Sequence, residues 1–92
     1  KTANYTMADG DNIFADTSAG AFTLTLPASP TIGMQVKIID AEGTAGTNNI
    51  TVGRNSQPIM GSAADMTIST NSAGIALVFY DGTFGWRLKY ND

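Results

Sequence analysis

A period of two runs through this sequence. Residues 22–26 read Phe-Thr-Leu-Thr-Leu, which places apolar side chains on one side of an extended chain and threonines on the other. Six other segments alternate in the same way or nearly so: residues 3–7, 12–15, 36–38, 50–52, 66–68 and 86–90. No segment offers the i, i+3, i+4, i+7 spacing of an amphipathic helix over three turns. The pattern predicts an all-β fold.

Turn residues separate these segments. Asp-Gly pairs at residues 9–10 and 81–82 tolerate the positive φ of tight hairpins, and residues 18–20 and 71–74 are suited to short loops. Residues 41–49 are Ala, Glu, Gly, Thr and Asn, and we expect this loop to be the most mobile. Short strands at such spacing are typical of sandwiches and barrels. We expect a small antiparallel β-sandwich or barrel, with any helix limited to a single turn.

Length and residue types restrict the chemistry. The 92 residues suffice for one β-domain, 1–92, and because the first residue is Lys1 we interpret the chain as a processed product or part of a longer one. Cysteine and histidine are absent from the sequence. Disulfides and Ser-His-Asp or Cys-His catalysis are therefore excluded, and a zinc site is not expected.

Charge and hydropathy restrict the partners. The net charge is −3, and the five basic residues are scattered rather than clustered as in nucleic-acid binders. Lys37, Arg87 and Lys89 lie opposite the apolar phase of their strands, which a solvated sheet face explains. The longest strongly apolar run, residues 75–80, is far too short for a membrane helix. We expect no nucleic-acid partner and no membrane insertion.

Carboxylates are the remaining route to catalysis, as in the acid pairs of glycosidases. Nearly all eight acidic residues lie at turn signals, where Asp is favoured by its own local hydrogen bonds. Asp9, Asp11 and the nearby Asp16 could gather oxygen ligands for calcium, but the segment lacks the spacing and closing Glu of an EF-hand. An Asp-rich turn is the favoured interpretation. We expect no enzymatic activity, no catalytic residue, no cofactor and no metal.

Four aromatic residues are candidates for a sugar-binding platform: Trp86, Tyr80, Tyr90 and Tyr5. Trp86 is in phase with Leu88 and Tyr90, and large aromatic side chains are usually well buried. We therefore expect Trp86 in the core. Tyr80 is opposite in phase to Phe79 and is the better candidate for an exposed contact.

Residues 75–80 break the alternation because they are apolar on both faces. Such a strand belongs either to the middle of a layered core or to a surface that another subunit covers. We expect Ile75, Leu77 and Phe79 to face the core. The opposite face would then expose an apolar stripe on a monomer. The candidate subunit interface consists of Ala76, Val78, Tyr80 and Ile39.

An ordered set of motifs extends over nearly the whole chain. The segments are Tyr-Thr-Met at 5–7, Asp-Thr at 16–17, residues 22–27, Gly33, residues 36–40 and 49–52, Ile59, Gly61, residues 77–82 and Gly-Trp-Arg-Leu at 85–88. Each piece is generic β-sequence, and only the ordered set is distinctive. Taken together, the set resembles a small β-domain found in tail fibres, tail spikes and related surface proteins of bacteriophages.

The resemblance implies a rigid, trimeric module of the virion. Its partners would be itself as a homotrimer, other phage particle proteins and, where the domain takes part in attachment, a bacterial surface glycan. The family has no fixed catalytic residues, and receptor contacts fall on variable loops. By analogy the receptor-contact loops are residues 41–49 and 71–74, and the candidate residues are Glu42, Thr44, Thr47, Asn48, Asn71 and Ser72.

Two other functions fit the same residues. One is a carbohydrate-binding module, for which Tyr80 would be the main contact. The other is a decoration protein on the exterior of a capsid. All three functions are non-enzymatic. Only the tail fibre or tail spike module implies a threefold assembly, through the resemblance.

Overall fold

The computed structural model describes residues 1–89, whose regular structure consists of β-strands. Eight strands are present: β1 Tyr5–Thr6, β2 Asn12–Ala15, β3 Phe22–Thr25, β4 Gln35–Asp40, β5 Ile50–Gly53, β6 Met66–Ile68, β7 Gly74–Asp81 and β8 Gly85–Lys89. No helix occurs among residues 1–89, so the predicted all-β fold is confirmed. This part of the chain accordingly contains no helix of the length and hydropathy needed to cross a membrane.

The strands form two four-stranded sheets of mixed direction. In the first sheet, of order β1-β3-β5-β6, the first three strands are parallel and β6 is antiparallel to β5. In the second sheet, of order β2-β4-β7-β8, β2 is parallel to β4, and β7 is antiparallel to both of its neighbours. The sheets are not closed into a barrel.

The expectations of antiparallel pairing throughout and of a possible barrel are therefore wrong. The path of the chain explains why some of the strand pairs are parallel. Strands β1 to β5 alternate between the two sheets. When the chain leaves a sheet, forms one strand in the other sheet and then returns, the new strand runs parallel to the previous strand of its own sheet. The Asp-Gly turn at residues 9–10 thus joins strands of different sheets, whereas the one at 81–82 joins the hydrogen-bonded neighbours β7 and β8.

The core lies between the two sheets and consists of the apolar residues at the inward positions of the alternating segments. Phe22 and Leu24 of β3 are buried, as are Val36 and Ile38 of β4. Trp86 is fully buried, so its predicted place in the core is confirmed. The predicted inward position of Tyr90 lies outside the described residues.

The loop between β5 and β6 covers part of the free edge of β8. The backbone N–H of Trp86 donates to the carbonyl of Pro58 (2.9 Å), and the N–H of Met60 donates to the carbonyl of Trp86 (2.8 Å). Exposed strand edges invite pairing with other chains, and a covering loop is one of the ways in which proteins prevent it. This loop therefore ties the first sheet to the second and shields the start of β8.

Candidate functional site

Two surfaces carry the residues singled out from the sequence. The first, here called the loop end, consists of residues 41–49, which follow β4, and residues 69–73, which precede β7. The second, here called the outer face, is the side of the second sheet that points away from the core. Strands β4 and β7, which are hydrogen-bonded neighbours, connect to the loop end and form part of the outer face.

Asp40 joins the two segments of the loop end. It is the last residue of β4, in the inward phase of that strand, and it is buried. Its carboxylate accepts hydrogen bonds from the backbone N–H groups of Ala45 (3.0 Å) and Ser72 (2.9 Å) and a longer one from that of Thr44 (3.3 Å). A single buried side chain thus bonds to both loops.

The hydrogen bonds also set the charge state of Asp40. Burial raises the pKa of its carboxyl, but the backbone N–H groups of Ala45, Ser72, Thr44 and Gly43 outweigh that effect and hold the pKa below its ordinary value. A carboxyl whose pKa is lowered by folding stabilises the folded state above its ordinary pKa. It loses that contribution as the pH falls through the lower, folded-state pKa.

We expect Asp40→Asn to lower the Tm at pH 7 by about 5 °C or more, because buried N–H groups lose a charged acceptor. Between about pH 5 and pH 2 Asp40 becomes protonated and the wild type should lose its extra stability. The difference in Tm between the wild type and Asp40→Asn should therefore shrink. Thermal melts followed by circular dichroism at several pH values measure this. Glu42→Gln, at an exposed carboxylate on the same loop end, is the control and should change the Tm little. A difference in Tm that does not change with pH would contradict the assignment.

Further hydrogen bonds hold the loop that we expected to be mobile. The hydroxyl groups of Thr17 and Thr44 lie 2.8 Å apart, and the amide of Asn48 donates to the carbonyl of Thr17 (2.8 Å). The N–H of Gly46 donates to the side-chain oxygen of Asn71 (2.7 Å). These contacts argue for a loop end that is held in one arrangement rather than for a free loop.

The six predicted receptor-contact residues all lie at the loop end. Thr44 and Asn48 are half-buried and take part in the hydrogen bonds that hold the loop. The other four are exposed: Glu42, Thr47, Asn71 and Ser72. The structure thus brings two separate sequence segments into one polar surface, whose function remains a prediction.

The four predicted interface residues share the outer face. Ala76, Val78 and Tyr80 alternate along β7 with inward-facing residues, and Ile39 lies on the same side of the neighbouring strand β4. Tyr80 and Ile39 expose 53% and 42% of their surface, whereas Val78 is half-buried and Ala76 is covered. Within residues 1–89, β7 therefore has one face in the core and one face that is partly open.

Four exposed apolar side chains were not predicted, one of which is Met60 in the loop between β5 and β6. Phe14 is 65% exposed and pairs with Ile39 on the outer face, and Phe84 is 50% exposed with its ring 6.3 Å from that of Tyr80. Ile32, just before β4, is 75% exposed. The position of Phe14 between the inward residues Ile13 and Ala15 is the sequence signal that would have revealed it.

The basic side chains of the second sheet also lie on the outer face. Lys37 pairs with Ala76, which pairs in turn with Lys89, and Arg87 pairs with Val78. These outward positions agree with the predicted solvated face. The outer face therefore mixes exposed apolar groups with three of the five basic residues of an acidic chain.

The candidate aromatic platform is not assembled by the described residues. Trp86 is buried, Tyr80 lies on the second sheet, and Tyr5 lies on the first sheet with the Lys1 ammonium 3.9 Å above its ring. Tyr90, the fourth member, is outside the described residues. Tyr80 remains exposed, as predicted.

The acidic turn at residues 9–11 is held by local hydrogen bonds. Asp9 accepts one from the N–H of Gln35 (2.9 Å), and Asp11 accepts from the N–H of Ala8 (2.9 Å) and the hydroxyl of Tyr5 (3.1 Å). The bond to Asp11 raises the pKa of Tyr5. Within residues 1–89, no three acidic side chains are grouped closely enough to bind a metal ion together. The geometry favours the Asp-rich turn over the calcium site.

Comparison with known proteins does not assign the chain to a family, because no family model matches it and no curated protein is significantly similar to it.

Proposed function

We propose that the chain is a non-enzymatic structural and adhesive module of a bacteriophage tail fibre or tail spike. It forms a homotrimer in the virion, and the outer face of the second sheet contributes to the contact between subunits. The proposal rests on the sequence resemblance and on one structural observation. That observation is the presence on this face of two groups of partly open apolar side chains, Phe14 with Ile39 and Val78 with Tyr80.

An exposed apolar group is ordinary when it stands alone, but a contiguous set indicates a contact surface. Two such sets lie on the face: Phe14 and Ile39 are directly paired at one end, and Val78 and Tyr80 lie two residues apart on β7 at the other end, with Lys37 and Ala76 between them. Aromatic residues and Arg are enriched at protein interfaces, and this face holds Phe14, Tyr80 and Arg87. Its composition therefore supports a contact between proteins.

The loop end supports the adhesive part of the proposal. Its exposed groups are hydroxyls, amides and one carboxylate, which are the groups that bind sugar hydroxyls. Because Asp40 and Thr17 fix the loops from below, these groups are held in place before a ligand arrives. A preorganised surface loses less conformational entropy on binding.

Val78→Asp tests the role of the outer face. We expect the variant to be monomeric or aggregated, because the desolvation of a carboxylate at a subunit contact costs more than its pairing with the facing Arg87 returns. Light scattering coupled to size exclusion gives the mass directly. The matched control is Thr67→Asp, at an exposed position of β6 on the outward side of the first sheet, and it should leave the trimer intact. If both variants keep the trimer mass, the outer face is not the contact.

The exposed pair Tyr80 and Phe84 also favours a second function, a carbohydrate-binding module, because neighbouring aromatic rings can stack on sugars. A monomer that binds glycans on an array and loses the binding in Tyr80→Ala would favour this function over the first.

A further inference from the structure

Lys1 lies beside β2 in the manner of a neighbouring strand. Its terminal ammonium donates to the carbonyl of Phe14 (2.6 Å), and its carbonyl accepts the N–H of Asp16 (2.8 Å). Bonds from one residue to the two residues that flank its partner are the pattern of a parallel ladder, so Lys1 stands opposite Ala15. The chain then crosses to the first sheet and forms β1.

The edge of β2 that Lys1 contacts has further free backbone groups. The N–H of Ala41 donates to the carbonyl of Ala15 (2.9 Å), so the odd-numbered residues of β2 direct their backbone groups towards β4. The backbone groups of Asn12 and Phe14 therefore point the other way. Since β2 is the outer strand of its sheet among residues 1–89, the N–H and C=O of Asn12 and the N–H of Phe14 have no strand to bond to there.

The bonds of Lys1 fix how an extended chain would fill this edge. A segment that leads into Lys1 on the same course runs parallel to β2. Its second residue before Lys1 would donate to the carbonyl of Asn12 and accept the N–H of Phe14. Its fourth residue before Lys1 would accept the N–H of Asn12. Each free group of the edge is thus matched by one group of the segment.

The exposed side chain of Phe14 fits the same arrangement. Phe14 points to the outer face and is 65% exposed, with Ile39 on one side and the free edge on the other. The residue immediately before Lys1 would stand beside Phe14 on this face, about 4.8 Å away in the direction of the hydrogen bonds. An apolar side chain there would cover part of the phenyl ring.

The other outer strands offer less to an incoming chain. The start of β8 already bonds to the loop of Pro58 and Met60. Strands β1 and β6, at the edges of the first sheet, have two and three residues, whereas β2 has four.

We propose that the free edge of β2 is a docking site for an extended polypeptide strand, and that its occupant is the segment directly preceding Lys1 in a longer chain. Main-chain hydrogen bonds to a sheet edge are an established mode of peptide binding. The second sheet then gains a fifth strand, and the alternation between sheets that β1 to β5 show extends one strand further back. The inference is independent of the proposed trimer, because a strand added at this edge leaves Val78 and Tyr80 open.

Hydrogen exchange of single backbone amides, followed by nuclear magnetic resonance, tests the register. In the 92-residue chain we expect the N–H of Asp16 to be protected by Lys1 and those of Asn12 and Phe14 to exchange rapidly. The full chain with the extension Thr-Val-Thr-Val-Val joined to Lys1 should show exchange about tenfold slower or more at Asn12 and Phe14, because a bonded amide exchanges only when its pairing opens.

The matched control is the extension Thr-Val-Thr-Pro-Val, with proline as the second residue before Lys1. Proline has no N–H to donate to Asn12 and is rarely accepted where a strand faces its neighbour, so exchange at Phe14 should stay rapid. Rapid exchange with both extensions, or equal slowing with both, would overturn the inference. If exchange at Phe14 in the unextended chain slows as the protein concentration rises, the edge binds a second copy and the inference is wrong.

Discussion

Gly85→Ala should leave the protein largely unfolded. A β-carbon at this position would lie 1.8 Å from the carbonyl oxygen of Pro58, and the φ of +70° is one that side chains other than that of glycine rarely adopt. The Pro58 carbonyl cannot move away easily, because it accepts the N–H of Trp86. Backbone strain and overpacking together should cost more than about 3 kcal/mol.

The control for this prediction lies in the same hairpin. A β-carbon at Gly82 would have only the end of the Gln57 side chain within reach, at 4.0 Å, and its φ is outside the left-handed region. We expect Gly82→Ala to fold with nearly the wild-type Tm. Circular dichroism and thermal melts compare the two variants, and a well-folded Gly85→Ala would show that the loop of Pro58 does not pack against β8 as described.

Trp86→Ala is the second substitution with a very large expected effect. The indole is fully buried, and its ring meets that of Phe79 edge-on at 5.4 Å. Truncating such a side chain costs about 3–5 kcal/mol, most of the stability of a small domain. We expect a variant that fails to fold or melts of the order of 20 °C lower.

Trp86→Phe is the informative companion variant. Among residues 1–89 the indole Nε1–H has no hydrogen-bond partner, so phenylalanine removes volume but breaks no polar contact. Its Tm should lie between those of the wild type and Trp86→Ala. A normally folded Trp86→Ala that loses sugar binding would instead support an exposed aromatic platform and contradict the packing.

Strand positions could be predicted from the sequence because burial on one side of a strand imposes a period of two. Residues 22–26 and 36–38 were assigned on this basis, and their inward residues Leu24 and Ile38 are buried. The same phase placed Lys37 and Arg87 outside. These features depend only on local alternation, which each strand carries in its own residues.

Strand direction could not be predicted in this way. Alternation in residues 12–15 gives the inward side of β2 but contains no sign that the chain has crossed to the other sheet. The Asp-Gly pair at residues 9–10 has the residues of a hairpin, yet β1 and β2 lie in different sheets. Parallel pairing of β2 with β4 follows from the path of the whole chain and is not a local property.

The loop end shows the same limit. Residues 41–49 look flexible in the sequence because none of them is large and apolar, yet their backbone N–H groups bind a carboxylate outside the loop. Asp40 is in phase with Val36 and Ile38, and a charged residue in an inward phase requires internal partners. That signal identifies Asp40 as structural. Its partner Ser72, which is 32 residues away, is identified only by the fold.

The mass of the wild-type protein in solution tests the central proposal most directly. Light scattering coupled to size exclusion at tens of micromolar should give about 29 kDa, three times the chain mass of 9.6 kDa, if the chain is a trimeric module. Dilution should lower that mass as the contacts on the outer face are released. A mass that stays near 9.6 kDa at all concentrations would contradict the account, and Val78 and Tyr80 would then belong to the surface of a monomer.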